Sequence, residues 1–432
     1  MPIRQRSVIT DHFHLTANPF RATQIYNVDQ PGVYVPEMYG DQLDEFYQKF
    51  FLLPLTKDAN KQVIGAIWSS HAGDDWGKGF GKSALMAEES KRINADFGRA
   101  LLEKAEVDEE DIVGNPVLAG YCTFDEAKGV KSFAAAILDA VIFILENPHG
   151  EGTTHTALRR RVIEKIGATD GYEGEEVKQA LLRELRRFRG LNIQLTHPTL
   201  NGFIDRLCAD DTGDLVNFIR HEIGPRIKAT QGFNYVHVFS AFVGLAGIVY
   251  VAYFVDQIEN FAKWARKQDR EIKILRESMC QTSPTSDMCS FIFQMHIRAE
   301  RAIENWWNSE HLPSLSFSKP MNTTRVVDLK GLRTTDEAVA LARCYLQANR
   351  AEGAAVTNDL HPFSEEVIEA VRAGTRGNPR KFLETLCHIL DHAEMDRQRR
   401  IDLTFIQPLL DEDFGEEVAE DEDEDDYTNP ER

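Results

Sequence analysis

The stretch Gly73-Asp74-Asp75-Trp76-Gly77-Lys78-Gly79-Phe80-Gly81-Lys82-Ser83 decides how this chain is read. Its last three residues close the phosphate-binding pattern G-x-x-x-x-G-K-[ST]. That pattern puts its first glycine at position 76, where this sequence has Trp. Two readings compete. In one, Gly77 takes the turn one residue late and Gly79, Gly81, Lys82 and Ser83 supply the working half of the loop. In the other, the stretch is a surface turn that ends in Lys-Ser. The flanks favour the first. "QVIGAIWSS", Gln62 to Ser70, is a short apolar run that reads as a strand, and "SALMAEESKRINADFG" reads as a helix beginning at Lys82-Ser83. Strand, glycine loop and helix N-terminus is the context in which backbone N–H groups converge on phosphate. Lys then reaches the outer phosphate oxygens and Ser holds magnesium.

A second feature lies far downstream. "VYVAYFVDQIEN", Val249 to Asn260, is an apolar strand that ends in Asp256. Phosphoryl transfer needs a carboxylate near magnesium and a group that orients or activates the attacking water. Asp256 suits the first task; Glu259 or Gln257 suits the second. The apolar run Val238 to Val255 is about as long as a membrane span, which needs roughly 20 residues. It also fits a core helix, a break near Gly247 and a buried strand, and its charged flanks are weak as membrane anchors. Further strands are expected at Pro116 to Phe124, Cys289 to His296 and Thr324 to Leu332, with a helix in "KSFAAAILDAVIFILEN". Beyond residue 332 the pattern is wholly helical. Thr334-x-x-Glu337 has capping-box spacing. In "RGNPRKFLETL", Gly377 ends one helix, Asn378-Pro379 starts the next, and Arg380 projects from its first turn.

The order of these elements resembles the AAA+ ATPases, within them the branch shared by origin-recognition-like and STAND proteins, over roughly residues 15 to 410. The resemblance implies an α/β P-loop sandwich with a parallel sheet, followed by an α-helical lid. It implies ATP and Mg2+ as ligands and an ATPase activity that is slow or partner-stimulated. Lys82 and Ser83 resemble the Walker A pair, with Gly77, Gly79 and Gly81 forming the loop. Asp256 resembles the Walker B magnesium residue, and Glu259 the acid of a DQxE variant. Gln294 or His296 resembles sensor 1, and Arg380 sensor 2. Asn18, Pro19 and Phe20 resemble the segment that passes the adenine. Candidates for an arginine finger acting on a neighbouring subunit are Arg270, Arg276, Arg298 and Arg301. Two departures stand out: Trp76 replaces the first loop glycine, and Gln257 stands where many such proteins carry the catalytic Glu.

On this reading the chain divides into a leading segment at 1–60, a P-loop core at 61–332 with an Arg-rich helical insert at about 150–232, a lid at 333–410 and a disordered acidic tail at 411–432. The formal charge is −20, but residues 411–432 hold thirteen acids and one Arg, so −12 belongs to the tail and the body is only mildly acidic. Overall charge therefore gives no support for nucleic-acid binding, and only a local basic face remains open. Arg159, Arg160, Arg161, Arg183, Arg186, Arg187 and Arg189 form such a face, or else pair with acids at helical spacing, among them Glu164, Glu173, Glu175, Glu176 and Glu184. The tail reads as a solubilising end, or as a nucleic-acid mimic that competes for a basic face. The six cysteines are scattered, with no C-x-x-C pair, as expected of free thiols in a reducing cytoplasm. The N-terminus lacks the apolar core of a signal peptide. The expected function is an ATPase that assembles with itself or with protein partners and switches or moves a DNA-associated complex, of genome-maintenance, transposition or anti-phage type. The alternative is a STAND-like switch, or a slowly hydrolysing structural subunit, that acts on proteins alone.

Overall fold

The computed structural model describes residues 7–21, 34–55, 64–69, 79–105, 114–124, 132–188, 197–224, 229–258, 260, 268–275, 277–278, 281–296, 326–354, 356 and 358–414. The chain forms two compact units. One comprises Asp44–Ala72 with Lys82–Asp328; the other comprises Met1–Leu43, Gly73–Gly81 and Leu329–Arg432.

The first unit is α/β. Its strands are β1 (Ile64–Trp68), β2 (Val117–Thr123), a short hairpin of β3 (Pro148–His149) and β4 (Gly152–Thr153), then β5 (Tyr250–Asp256), β6 (Cys289–Gln294) and β7 (Val326–Asp328). All but the hairpin join one five-stranded sheet in the order β2-β5-β6-β1-β7, and every pairing in it is parallel. The sequences explain this. β2, β5 and β6 are near-continuous apolar runs buried along their lengths, as parallel strands covered on both faces must be. Each of the five strands expected from the sequence is present.

Alternation along β5 divides the core. Val251, Tyr253 and Val255 join the main apolar cluster. Phe254 points the other way, stacked on Phe46 with ring centroids 5.3 Å apart and flanked by Phe50 and Phe51. Four helices are used below: α1 (Lys82–Asp96), α2 (Phe133–Glu146), α3 (Thr154–Ile166) and α4 (Glu173–Arg187), the last two from the Arg-rich insert. Leu158 and Val162 of α3 and Val177, Leu181 and Leu185 of α4 are buried in the same cluster as α2 and β5. The insert is therefore part of the core. The long apolar run resolves into helix α5 (Ala229–Leu245), a left-handed Gly247 at φ 84° and strand β5. Among the described residues no helix is long and apolar enough to cross a membrane.

The outer edge of β2 is sealed by α1. Asn94 donates through Nδ2 to the Ala119 carbonyl at 2.7 Å and accepts from the Ala119 N–H at 2.9 Å. One side chain thus satisfies both edge-facing groups of a residue in the strand that is outermost among the described residues.

The second unit is helical: α6 (Thr335–Ala348), α7 (Glu365–Gly374), α8 (Pro379–Met395) and α9 (Leu403–Phe414). Thr334 and Glu337 form the expected reciprocal capping box on α6. Asn378 caps α8, accepting from the N–H groups of Arg380 and Lys381 with Pro379 in the first turn. Residues 7–21 are tied to these helices: the Ile9 N–H donates to Glu394 at 2.9 Å and the Thr16 N–H to the Asn349 carbonyl at 2.9 Å.

Candidate functional site

Because the sheet is parallel, β1, β5 and β6 all end at one edge, and β6 lies between the other two. From β1 the chain leaves toward β2; from β6 it crosses to β7 on the far side of β1. Adjacent strands whose connections depart in opposite directions open a crevice at their carboxyl ends, where ligands of α/β proteins bind.

The side chains at that edge come from four separate stretches of sequence. Lys82 opens α1, is 3% exposed, and sends Nζ to Ser69 Oγ at 2.5 Å just beyond β1. Asp256 ends β5 and is 1% exposed. Gln294 ends β6, and its amide, turned so that the nitrogen faces the carboxylate, contacts Asp256 Oδ1 and lies 3.2 Å from Oδ2. The Ser83 hydroxyl sits 3.5 Å from the same end of that amide. Ser83, Asp256 and Gln294 are thus gathered around one point, with Lys82 one residue away on the same helix. α1 is 15 residues long, and its N-terminus, with the positive end of the helix dipole, lies at these residues.

Two more donors hold the Asp256 carboxylate. The Tyr121 hydroxyl donates to Oδ2 at 2.7 Å, and the Gln257 N–H to Oδ1 at 2.8 Å. Burial, and next the charge of Asp256, push the Tyr121 phenol well above its ordinary pKa, so it stays a donor. Gln257 has a left-handed backbone at φ 57°. Its side-chain oxygen accepts from Asn260 Nδ2 at 3.2 Å, and the same amide nitrogen donates to the Phe124 carbonyl at 2.7 Å. His296 is buried two residues beyond Gln294.

In the helical unit, Gly79 and Gly81 take φ values of 86° and 76°, a region that favours glycine. A Cβ on Gly79 would stand 2.6 Å from Arg380 Cβ and 2.8 Å from Asn378 Oδ1. The glycine loop therefore packs directly on the start of α8. Tyr39 donates its hydroxyl to the Gly81 carbonyl at 2.9 Å. Arg380 is half-buried, and its guanidinium makes no hydrogen bond or ion pair with a described residue. Asn18 donates to the Cys387 carbonyl and to Asp391 Oδ1, both at 3.0 Å. Pro19 is buried, and Phe20 is buried between Tyr345 and Phe363. Asn18 and Phe20 join the N-terminal stretch to the helices.

The arginines of the insert have divided roles. Arg159 donates to the Cys208 carbonyl at 2.9 Å. Arg161 donates to the Ala246 carbonyl at 2.9 Å and covers the Phe97 ring at 5.3 Å. Arg187 pairs with Glu184 at 2.8 Å. Arg160, Arg183 and Arg186 are exposed, as is Arg270. Gly77, Trp76, Arg189, Glu259, Arg276, Arg298 and Arg301 lie outside the described residues. Among the described residues no cluster of His, Cys, Asp and Glu forms a metal site by itself, and the five described cysteines are free.

Sequence reasoning missed Ser69 and Tyr121. Ser69 carried a usable signal, since it stands where β1 gives way to the loop. Tyr121 carried none until the pairing of β2 with β5 was known. No protein-family model matches this sequence, and no curated protein matches it.

Proposed function

We propose that this chain is an ATP-binding AAA+-type ATPase whose phosphate loop is Gly79–Ser83. The observation that carries the proposal is the convergence of Ser83, Asp256 and Gln294 beside Lys82 at the carboxyl edge of a parallel sheet. Lys82 holds phosphate oxygens, exchanging its bond to the Ser69 hydroxyl for a stronger, charge-assisted one. The N-terminus of α1 adds backbone donors aimed at the same anion. Ser83 and Asp256 offer hard oxygen ligands that share one neighbour, the Gln294 amide, and this donor set suits Mg2+. When bound, Mg2+ neutralises charge on the transferring phosphoryl group. Gln294 reports on the terminal phosphate.

Gln257 favours slow turnover. An amide cannot take a proton from water, and this one is bonded to Asn260. We therefore read the protein as a nucleotide switch that holds ATP well and hydrolyses it slowly, alone or as a homo-oligomer with protein partners. Action on a DNA-associated complex rests on Arg160, Arg183 and Arg186, exposed arginines of the insert.

The test is ATP binding and hydrolysis by wild type and Lys82→Ala, with and without duplex and single-stranded DNA, at low and physiological salt. Binding that needs Lys82 supports the nucleotide site. Turnover that rises with DNA and falls with salt supports the DNA-associated machine; turnover indifferent to DNA supports a switch acting on proteins. Absence of ATP binding by folded wild type refutes the proposal.

A further inference from the structure

We propose that Tyr121 is the positioning residue for Asp256, fixing how the carboxylate faces a divalent cation; this rests on the nucleotide reading above. The sheet order sets the geometry. β5 lies between β2 and β6, so Asp256 is reached from both neighbours: Tyr121 from β2 and Gln294 from β6. Tyr121 pairs in register with Phe254, two residues before Asp256. Side chains two apart on a strand share a face, so the phenol reaches along the sheet to the carboxylate.

The phenol is itself held. It is 6% exposed, and its ring meets Phe143 of α2 edge-on, with centroids 5.9 Å apart. The Thr123 hydroxyl lies 3.4 Å from the Tyr121 hydroxyl and donates to it. The tyrosine proton is thereby directed at Asp256 Oδ2. With Oδ2 tied on the β2 side and Oδ1 fixed by the Gln257 N–H, the carboxylate cannot rotate. Its remaining acceptor capacity points toward Gln294 and Ser83, where the second oxygen ligand lies. Groups that orient a metal-binding carboxylate from behind typically change metal affinity about 10–100-fold when removed.

ATP affinity of the full-length chain is measured in EDTA and at stepped Mg2+ concentrations for wild type, Tyr121→Phe and Thr123→Val, with thermal melts alongside. Tyr121→Phe keeps the ring and deletes only the donor. The expected result is unchanged affinity in EDTA, with the Mg2+ concentration at half-maximal effect raised about 10-fold. Thr123→Val moves it the same way by less, and carries the test if Tyr121→Phe does not fold. Equal loss with and without Mg2+, in step with a lower Tm, would make Tyr121 a packing residue and overturn the proposal. So would an unchanged Mg2+ dependence in a variant that melts like wild type. Failure of the nucleotide reading itself is separate: it shows as wild type that does not bind ATP.

Discussion

Replacing Asn94 by Ala tests the joint that aligns α1 with the sheet. Asn94 lies twelve residues along α1 from Lys82, about 18 Å at the helical rise of 1.5 Å per residue. Its side chain is fully buried and makes two hydrogen bonds, to the N–H and C=O of Ala119 on the edge of β2. Alanine leaves both without a partner. An orphaned buried group costs about 1–3 kcal/mol, so the pair costs about 2–6 kcal/mol. Water entering the vacated space at the sheet edge offsets part of this, and we expect about 3 kcal/mol. A folded domain is stable by only about 5–15 kcal/mol, so the loss is large. Native-state hydrogen exchange followed on the β2 peptide reads it directly. Where exchange proceeds by local opening, 3 kcal/mol corresponds to roughly 150-fold faster exchange. Asn94→Asp is the informative companion: it keeps an acceptor for the Ala119 N–H but opposes an anion to the Ala119 carbonyl, and it is expected to weaken protection at least as much. If the β2 peptide of Asn94→Ala exchanges within about threefold of wild type, the edge is sealed by something other than this side chain and the reasoning fails.

Two further outcomes follow from single residues. Gln257→Gly removes the cost of a left-handed non-glycine residue, about 1–2 kcal/mol, against about 0.5–1 kcal/mol of added unfolded-state entropy; the variant is expected to gain up to about 1.5 kcal/mol in thermal melts, and a loss of stability would show that the side-chain bond to Asn260 outweighs the strain. Burial lowers the pKa of His237 to about 4, below an unfolded value near 6.5; its contribution is therefore fully present above about pH 6.5 and is lost as pH falls toward 4, up to about 3 kcal/mol. The corresponding fall in Tm should shrink in His237→Gln, and an identical pH profile in the two proteins would refute the assignment.

What the sequence made legible was local. Strand β5 announced itself as an unbroken apolar run, and the Thr334–Glu337 cap as a spacing of three residues. Lys82 and Ser83 were readable as candidates because the glycine-rich stretch before them is contiguous, and Asp256 and Gln294 because each ends an apolar strand. What stayed hidden was non-local. Neither Asn94 with Ala119 nor Tyr121 with Asp256 follows from any spacing, since both depend on β2 being the edge strand beside β5. The Arg-rich insert was only partly legible for a related reason. A run such as Arg159-Arg160-Arg161 looks uniform in sequence, yet a helix turns about 100° per residue. Arg159 and Arg161 are half-buried against backbone carbonyls, and Arg160 alone of the three is exposed. The N-terminal residues were likewise read as a separate leading segment, whereas residues 7–21 bond to helices more than 300 positions away.

On the nucleotide reading proposed above, the end of β5 gives a reason for binding and turnover to separate. Phe124 donates its N–H to the Asp256 carbonyl at 2.9 Å, and Asn260 bonds both the Phe124 carbonyl and the Gln257 side chain. The strand ends of β2 and β5 are thus stapled across positions 256 and 257, and strain at Gln257 is held in place by bonds on either side of it. That clamp fixes a carboxylate at position 256, where it can serve a cation, and an amide at 257, where a proton acceptor would speed hydrolysis. Gln257→Glu would keep an oxygen for Asn260 while adding a base, so on this reading the variant turns ATP over faster with little change in affinity. A general base is worth about 10²–10⁴-fold when correctly placed. Unchanged turnover in a variant that binds ATP normally would move the slow step away from position 257.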